Sequence, residues 1–245
     1  MPIASTRAFV LGSSTLSEQD RLVHLLTDGQ GIIRAIAPGS MKARNRFGSL
    51  FEMFTEGEFY YYWKENKELI TISKGEIINS YFTIVSAPEN IFYFYLIADV
   101  FLSFVPYNHN DNRLYRLIHT ILTHRQLGVD MDLLLLYCLV WVLRIEGMMF
   151  DPTLCYNCYD HGLQQAWFKS DYQGILCHKC ITNETQILHK NELDYIKWTE
   201  HHSPQELNTW KNHIETAKLI RAFTRKIQYH GECTLKSAQY LAEYK

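Results

Sequence analysis

Four cysteines constrain this chain more than any other feature. Cys155 and Cys158 are two residues apart, Cys177 and Cys180 are two apart, and eighteen residues lie between the pairs. A two-residue gap lets both thiolates of a turn converge on one ion while backbone NH groups bond to the sulfurs. The doubled spacing falls within the separation of a tetrahedral site made of four thiolates. One structural zinc per chain is the expectation. An ion with no open coordination position does no chemistry; it ties down a segment too poor in core to fold alone. Iron accepts the same ligands, and His161 or His178 could take the place of one cysteine. Two disulfides are the remaining alternative, disfavoured in a reducing compartment. Cys138, inside an apolar run, and Cys233, near a turn, read as ordinary residues.

Catalytic zinc fits poorly. Nucleobase deaminases carry H-x-E followed by P-C-x-x-C, whereas His213-Ile214-Glu215 follows both cysteine pairs, and Leu154 and Leu176 precede them in place of proline. H-E-x-x-H, G-x-S-x-G and G-x-x-x-x-G-K-[ST] are all absent from the sequence, so hydrolase and ATPase readings have no motif.

Before the cysteines, near residue 80, the texture changes. Residues 1–80 read as short strands: Phe9–Leu11, Leu22–Leu26 and Ile32–Ala37 joined across Thr27-Asp28-Gly29-Gln30-Gly31, then Phe51–Phe54, Phe59–Trp63 and Leu69–Ile72. Five or six strands of this length suit a small closed barrel, and the OB-fold is a common one. In Phe59-Tyr60-Tyr61-Tyr62-Trp63, strand alternation separates Phe59, Tyr61 and Trp63 from Tyr60 and Tyr62. One set fills the barrel; the other could stack bases, but packing on the helices that follow is the expectation. Beyond residue 80 the pattern turns helical. Ser86-Ala87-Pro88-Glu89 and Ser203-Pro204-Gln205-Glu206 match capping boxes. They predict helices to about Phe104 and, as one long stretch, toward Gln228. Others fit Asn112 to about Arg125, closed by Gly128, and Asp132 to about Glu146, closed by Gly147; Thr234 would cap a last one through Tyr244. The expected class is α+β: an N-terminal OB-fold β-barrel over 1–80, then an α-helical domain over 81–245 with a four-cysteine zinc-binding element at 151–182.

The apolar runs Leu133–Leu143 and Ile91–Val105, the latter interrupted by Asp99, are too short to span a bilayer. The start Met-Pro-Ile-Ala-Ser-Thr-Arg has no apolar leader, which points to the cytoplasm. With 24 basic against 26 acidic residues, any nucleic-acid surface must be local. One candidate is a loop: no acid lies between Asp28 and Glu52, where Arg34, Lys42, Arg44 and Arg46 fall. A flexible basic loop beside a barrel suits phosphate tracking, against a plain solvated loop. A second is helical: on one continuous helix, Lys211, Lys218, Arg221 and Arg225 share an arc of roughly 80°, opposite Leu219, Ile220, Phe223 and Ile227. Such a stripe suits DNA or an acidic peptide, against a merely soluble face.

Two sets of residues, in order, carry a resemblance. Val10-Leu11, Glu18, Leu22-Val23, Leu26-Thr27, Gly31-Ile32 and Ala37-Pro38-Gly39 form the first; Cys155-x2-Cys158, Trp167-Phe168, Gly174 and Cys177-x2-Cys180 form the second. Together they resemble the bacterial recombination mediators of the RecO family. The chain departs at Tyr159, where members often have glycine, and at Gln173-Gly174, where they often have a glycine pair. The resemblance implies a non-enzymatic protein of DNA repair and recombination, acting in the bacterial cytoplasm on the nucleoid. It implies binding to single- and double-stranded DNA, annealing of complementary strands, and help to a recombinase in replacing single-strand-binding protein. Implied partners are RecR and the acidic C-terminal tail of single-strand-binding protein. By position in the barrel, Arg34, Lys42, Arg44 and Arg46 become the DNA-binding candidates. A zinc-stapled scaffold for proteins and an RNA-binding OB protein are the rival readings.

Overall fold

The structure, a computed structural model, describes residues 3–62, 69–184 and 186–244. It divides into two compact units, Met1–Leu122 with Lys236–Lys245, and Thr123–Leu235.

The first unit is built on five strands: β1 (Ile3–Thr15), β2 (Arg21–Thr27), β3 (Gly31–Ala37), β4 (Glu56–Tyr62) and β5 (Leu69–Asn79). They close into a barrel in the order β1-β2-β3-β5-β4, that of an OB-fold. Closure comes from β1 pairing antiparallel with both β2 and β4, and from β3 pairing parallel with β5 at Arg34–Ile36. The β2–β3 hairpin is as expected. Thr27 Oγ1 donates to Gly31 O at 2.8 Å and accepts from Gln30 N at 2.9 Å, satisfying the turn. Alternation sends Val23, Leu25, Ile33, Ala35, Phe59, Tyr61, Ile70 and Ile72 inward. Each large apolar side chain so buried contributes roughly 1.5–3 kcal/mol.

Three expectations change here. Phe51–Phe54 is a run of turns, not a strand. β1 pairs with β4 only from Ile3 to Phe9, and just past that point this segment meets β1 at Val10 alone, Phe54 N to Val10 O at 2.7 Å and Val10 N to Thr55 O at 3.0 Å. Its side chains fill space: Phe47, Leu50 and Phe51 join the barrel core. Leu50 fits because β5 has glycine opposite it; a Cβ on Gly75 would lie 2.4 Å from Leu50 Cδ2. The basic loop is therefore pinned, not free. Gly39 N donates to Asp20 Oδ1 at 2.8 Å, and Asn45 Oδ1 accepts from Phe47 N and Gly48 N. Finally, the outward aromatics are not covered by helices: Tyr62 is 40% exposed, and Tyr60 has the Lys74 ammonium 5.5 Å from its ring centre. Trp63 and the polar stretch Lys64 to Glu68 lie outside the described residues.

Helices α1 (Phe82–Val85), α2 (Ile91–Phe104), the first turns of α3 (Arg113–Gln126) and α7 (Ser237–Tyr244) complete this unit. Ser86 does not cap α2. Its hydroxyl donates back to Phe82 O at 2.7 Å, closing α1, and α2 starts after Asn90. Asp99, which breaks the apolar run, accepts from Ser237 N at 3.0 Å and so seats the start of α7. Glu56, buried, accepts from Tyr115 Oη at 2.5 Å and from Asn79 Nδ2 at 2.7 Å, fastening α3 to the barrel.

The second unit centres on α4 (Met131–Ile145), buried along most of its length. Asp130 caps it, accepting from Asp132 N and Leu133 N. Helix α6 (Thr216–Gly231) packs on α4, and Leu219, Ala222, Phe223 and Ile227 are buried along it. Helix α5 (Lys190–Trp198) has its capping box at His189 and Glu192, a pair the sequence reading passes over. The expected long helix from Ser203 is broken. Pro204–Trp210 is a 3-10 helix without a side-chain cap, Lys211 is extended (ψ 129°), Asn212 is left-handed (φ 72°), and α6 restarts at Thr216. A three-stranded sheet, β7-β6-β8, made of β6 (Gln165–Phe168), β7 (Ile175–Leu176) and β8 (Ile187–His189), holds the cysteine segment. Among the described residues, no helix is long and apolar enough to cross a membrane.

Candidate metal centre and nucleic-acid interface

The four spaced cysteines converge. The Sγ atoms of Cys155, Cys158, Cys177 and Cys180 all lie within 4.8 Å of one another, the one such cluster of metal-binding side chains among the described residues. Four sulfurs at about 2.3 Å from a tetrahedral ion stand about 3.8 Å apart; Cys158 Sγ and Cys177 Sγ are at 3.6 Å. Neither His161 nor His178 belongs to the cluster, and both are exposed.

Two turns build it. Cys155–Cys158 forms the first, closed by Tyr159 N donating to Cys155 O at 2.9 Å and flanked by the Leu154–His161 bridge. The second follows β7, with Cys180 N donating to Cys177 O at 2.9 Å. Tyr156 N donates to Ile175 O at 2.8 Å and Cys177 N to Cys155 Sγ at 3.3 Å, locking one turn against the other. Cys155, Leu176 and Cys177 form a small apolar core with Leu163 and Ile181 beside it.

The electrostatics suit a cation. Burial opposes ionisation of Cys155, but backbone NH groups of Cys158, Cys177 and Asn157 outweigh it and bring the thiol to about 6. Cys180 moves the other way, to about 12, through its hydrogen bond to Cys158, desolvation and its other sulfur neighbours. Four thiols this close cannot all ionise together; a divalent ion at their centre removes that conflict. The donor set and its spacing fit a metal ion. Cys138 is outside all this, its thiol pushed up by burial alone.

Both family departures have local explanations. Tyr159 is left-handed, φ 59°, the conformation glycine adopts without strain. Gln173 Oε1 accepts from Tyr156 Oη at 2.6 Å, and Gly174 sits against the base of the same side chain, where a Cβ would lie 2.8 Å from Tyr156 Cβ.

On the barrel, Lys42, Arg44 and Arg46 are exposed on the loop between β3 and β4. Among the described residues, no carboxylate pairs with any of the three. Arg46 lies over Phe47, 4.8 Å from its ring centre. Arg34 is apart from the loop, half-buried on β3 with its guanidinium 5.6 Å from the centre of the Tyr107 ring.

The helical stripe does not survive as drawn. Lys211 lies before α6 and pairs with Asp130 at 2.8 Å. Lys218 is turned into the structure, 2.8 Å from buried Glu192 and 3.7 Å from Glu215. Arg221 and Arg225 remain as exposed cations on α6. Periodicity alone cannot see a carboxylate arriving from another element.

Comparison with known proteins agrees with the two-part build. Residues 1–81 match the family Recombination protein O N terminal, and residues 86–239 match Recombination protein O C terminal. The chain is 26% identical over 181 residues to the DNA repair protein RecO of Clostridium novyi (strain NT), covering 74% of this chain and 70% of that one. It is 26% identical over 176 residues to the protein of that name from Koribacter versatilis (strain Ellin345), 71% of each. To the one from Thermodesulfovibrio yellowstonii it is 28% identical over 182 residues, 73% of this chain and 70% of that one.

Proposed function

The chain belongs to the recombination protein O family, matched in both its parts, and from that premise we propose that it is a non-enzymatic, DNA-binding mediator. A role in DNA repair and recombination goes with the family. The finer reading is that the barrel binds single- and double-stranded DNA, that the bound protein anneals complementary strands, and that it assists a recombinase in replacing single-strand-binding protein. RecR and the acidic tail of single-strand-binding protein are its protein partners, in the bacterial cytoplasm.

The observation that carries this reading is the loop of Lys42, Arg44 and Arg46. Three cations within five residues stand on a loop of an OB-type barrel, and among the described residues no carboxylate is paired to them. Charges so placed attract phosphates without sequence preference and release counterions on contact. That suits annealing, where two strands must be held by their backbones while their bases remain free to pair. Arg34 extends the same surface along β3. Arg221 and Arg225 are the candidates for an acidic peptide or for DNA in the second unit; Lys218 and Lys211 hold structural carboxylates instead.

Cys155, Cys158, Cys177 and Cys180 would hold one zinc ion, with no open position for water or substrate. When bound, the ion supplies folding free energy rather than chemistry. The chain's own part is to present four sulfurs and the backbone NH groups that stabilise them as thiolates.

Strand annealing tests the proposal. Complementary oligonucleotides coated with single-strand-binding protein should anneal faster with this protein than without it, and no nucleotide should be consumed. No acceleration on coated or bare strands would contradict it.

A further inference from the structure

The connection after α2 does something a plain connector need not do. It runs along the barrel at the Gly31 end of β3, on the side where β5 pairs further along at Arg34–Ile36. Tyr107 forms a parallel bridge with Ile32, and Asn108 N donates to Ile32 O at 3.0 Å. The approach is close: a Cβ on Gly31 would lie 2.2 Å from His109 O. Asn108 takes a left-handed turn, φ 58°, to leave the strand again. The chain thereby delivers one aromatic residue to the outer β2–β3 face.

There the ring is held by polar ties. His24 and Arg34 are direct cross-strand partners. Tyr107 Oη is 3.0 Å from His24 Nδ1, the two rings edge to face at 6.1 Å, and the Arg34 guanidinium lies over the Tyr107 ring. Burial, with Arg34 nearby, lowers the His24 pKa and so favours the neutral imidazole. Tyr107 is still 37% exposed. Three residues further along β3, Ala37 leads into the basic loop. The same barrel therefore offers an oriented, partly exposed ring backed by a guanidinium, and an exposed loop of three cations beyond it.

We propose that Tyr107, fixed by His24 and Arg34, is a stacking platform for an unpaired nucleobase of single-stranded DNA threaded across the β2–β3 face toward Lys42, Arg44 and Arg46. This rests on the DNA-binding reading above and sharpens it. The loop takes phosphates of either form of DNA, whereas the ring takes a base only where that base is unstacked, so it selects single strands over duplex. The sequence pattern misses Tyr107 because it reaches β3 from a connector some seventy-five positions downstream.

The test compares wild type, Tyr107→Ala, Tyr107→Phe and the Lys42/Arg44/Arg46 triple alanine variant by fluorescence anisotropy. Probes are an oligothymidylate and a duplex of equal length, each over a salt series, with unfolding curves confirming the fold. Tyr107→Ala should weaken oligothymidylate binding roughly tenfold, the range of one base–aromatic stack. Its duplex affinity and its salt slope should stay as in wild type, since no phosphate contact is removed. Tyr107→Phe keeps the ring and should bind within about threefold of wild type. Equal losses in the two tyrosine variants would assign the effect to the His24 bond and overturn the inference. Equal losses on single strand and duplex, or no loss at all, would overturn it as well. If Tyr107→Ala is silent while the loop variant loses affinity, the platform alone fails. If wild type binds neither probe, the DNA-binding reading fails with it.

Discussion

Replacing Gly174 by alanine should loosen the metal centre without touching a ligand. The new Cβ would lie 2.7 Å from Cδ2, 2.8 Å from Cβ and 2.9 Å from Cγ of Tyr156. Ring rotation cannot relieve this, because Cβ is among the clashing atoms and Tyr156 sits between two cysteines. Its NH is bonded to Ile175 O and its hydroxyl to Gln173. Overpacking of this kind costs about 1–3 kcal/mol, and straining those two hydrogen bonds without breaking both adds about 1 kcal/mol. The whole first turn must move, so most of that total of about 2–4 kcal/mol should appear as metal affinity. At about 1.4 kcal/mol per decade, the loss is roughly 30-fold to several hundred-fold. The assay is competition for zinc with a chromophoric chelator under reducing conditions. Gly174→Ala combined with Tyr156→Gly, which removes all three clashing atoms, should recover much of the affinity. An unchanged affinity in the single variant would refute the argument that the Tyr156–Gly174 contact sets the geometry of the cluster.

Three further outcomes follow from single contacts. Tyr159→Gly should stabilise the metal-loaded protein by about 0.5–1 kcal/mol, because the left-handed strain exceeds glycine's entropic cost; a thermal midpoint that does not rise would contradict this. Lys218→Ala should destabilise by about 3 kcal/mol in denaturant unfolding, since it strips the cation from buried Glu192, and should leave the salt slope of DNA binding unchanged. Lys226 is 1% exposed, donates to Tyr172 O, and lies 3.4 Å from His230 Nε2 and 5.9 Å from the centre of the Phe150 ring. Burial pulls its pKa from 10.5 down to about 8, against the pull of Asp171. The unfolded chain then binds more protons between those values, so stability should rise with pH across that window by up to about 3 kcal/mol, with the full cost present below pH 8. Lys226→Met should remove that rise and be the more stable variant at pH 7; a rise of the same size in the variant would assign it to other groups.

What the sequence discloses and what it hides differ by range. The cysteine spacing is decided within a few residues, and the cluster forms as the spacing requires. The β2–β3 hairpin and the inward set Phe59 and Tyr61 follow from alternation and a local turn. By contrast β1 runs thirteen residues, Ile3–Thr15, although its pattern is apolar only around Phe9–Leu11. Its ends are strand because two neighbours supply hydrogen bonds there, a property of the barrel rather than of Ser5 or Thr15. Ser86 and Ser203 match a helix-start pattern, yet neither side chain caps a helix start. The structure supplies the better-placed signals at Asp130 and at His189 with Glu192. The basic stripe dissolves for a related reason: Glu192 reaches Lys218 from 26 positions away.

In the proposed function the barrel loop binds DNA by its phosphates. Fluorescence-anisotropy titration of wild type and of the Lys42/Arg44/Arg46 triple alanine variant on a single-stranded oligonucleotide, from low to moderate salt, tests it most directly. Each lost phosphate contact should reduce the slope of log affinity against log salt by about 0.7, so the variant should be flatter by roughly two units and weaker on every sequence. Its unfolding curve should match wild type, because exposed loop charges contribute little to stability. An unchanged slope would mean that the loop is a solvated turn, and would move the DNA surface to Arg221 and Arg225 on α6.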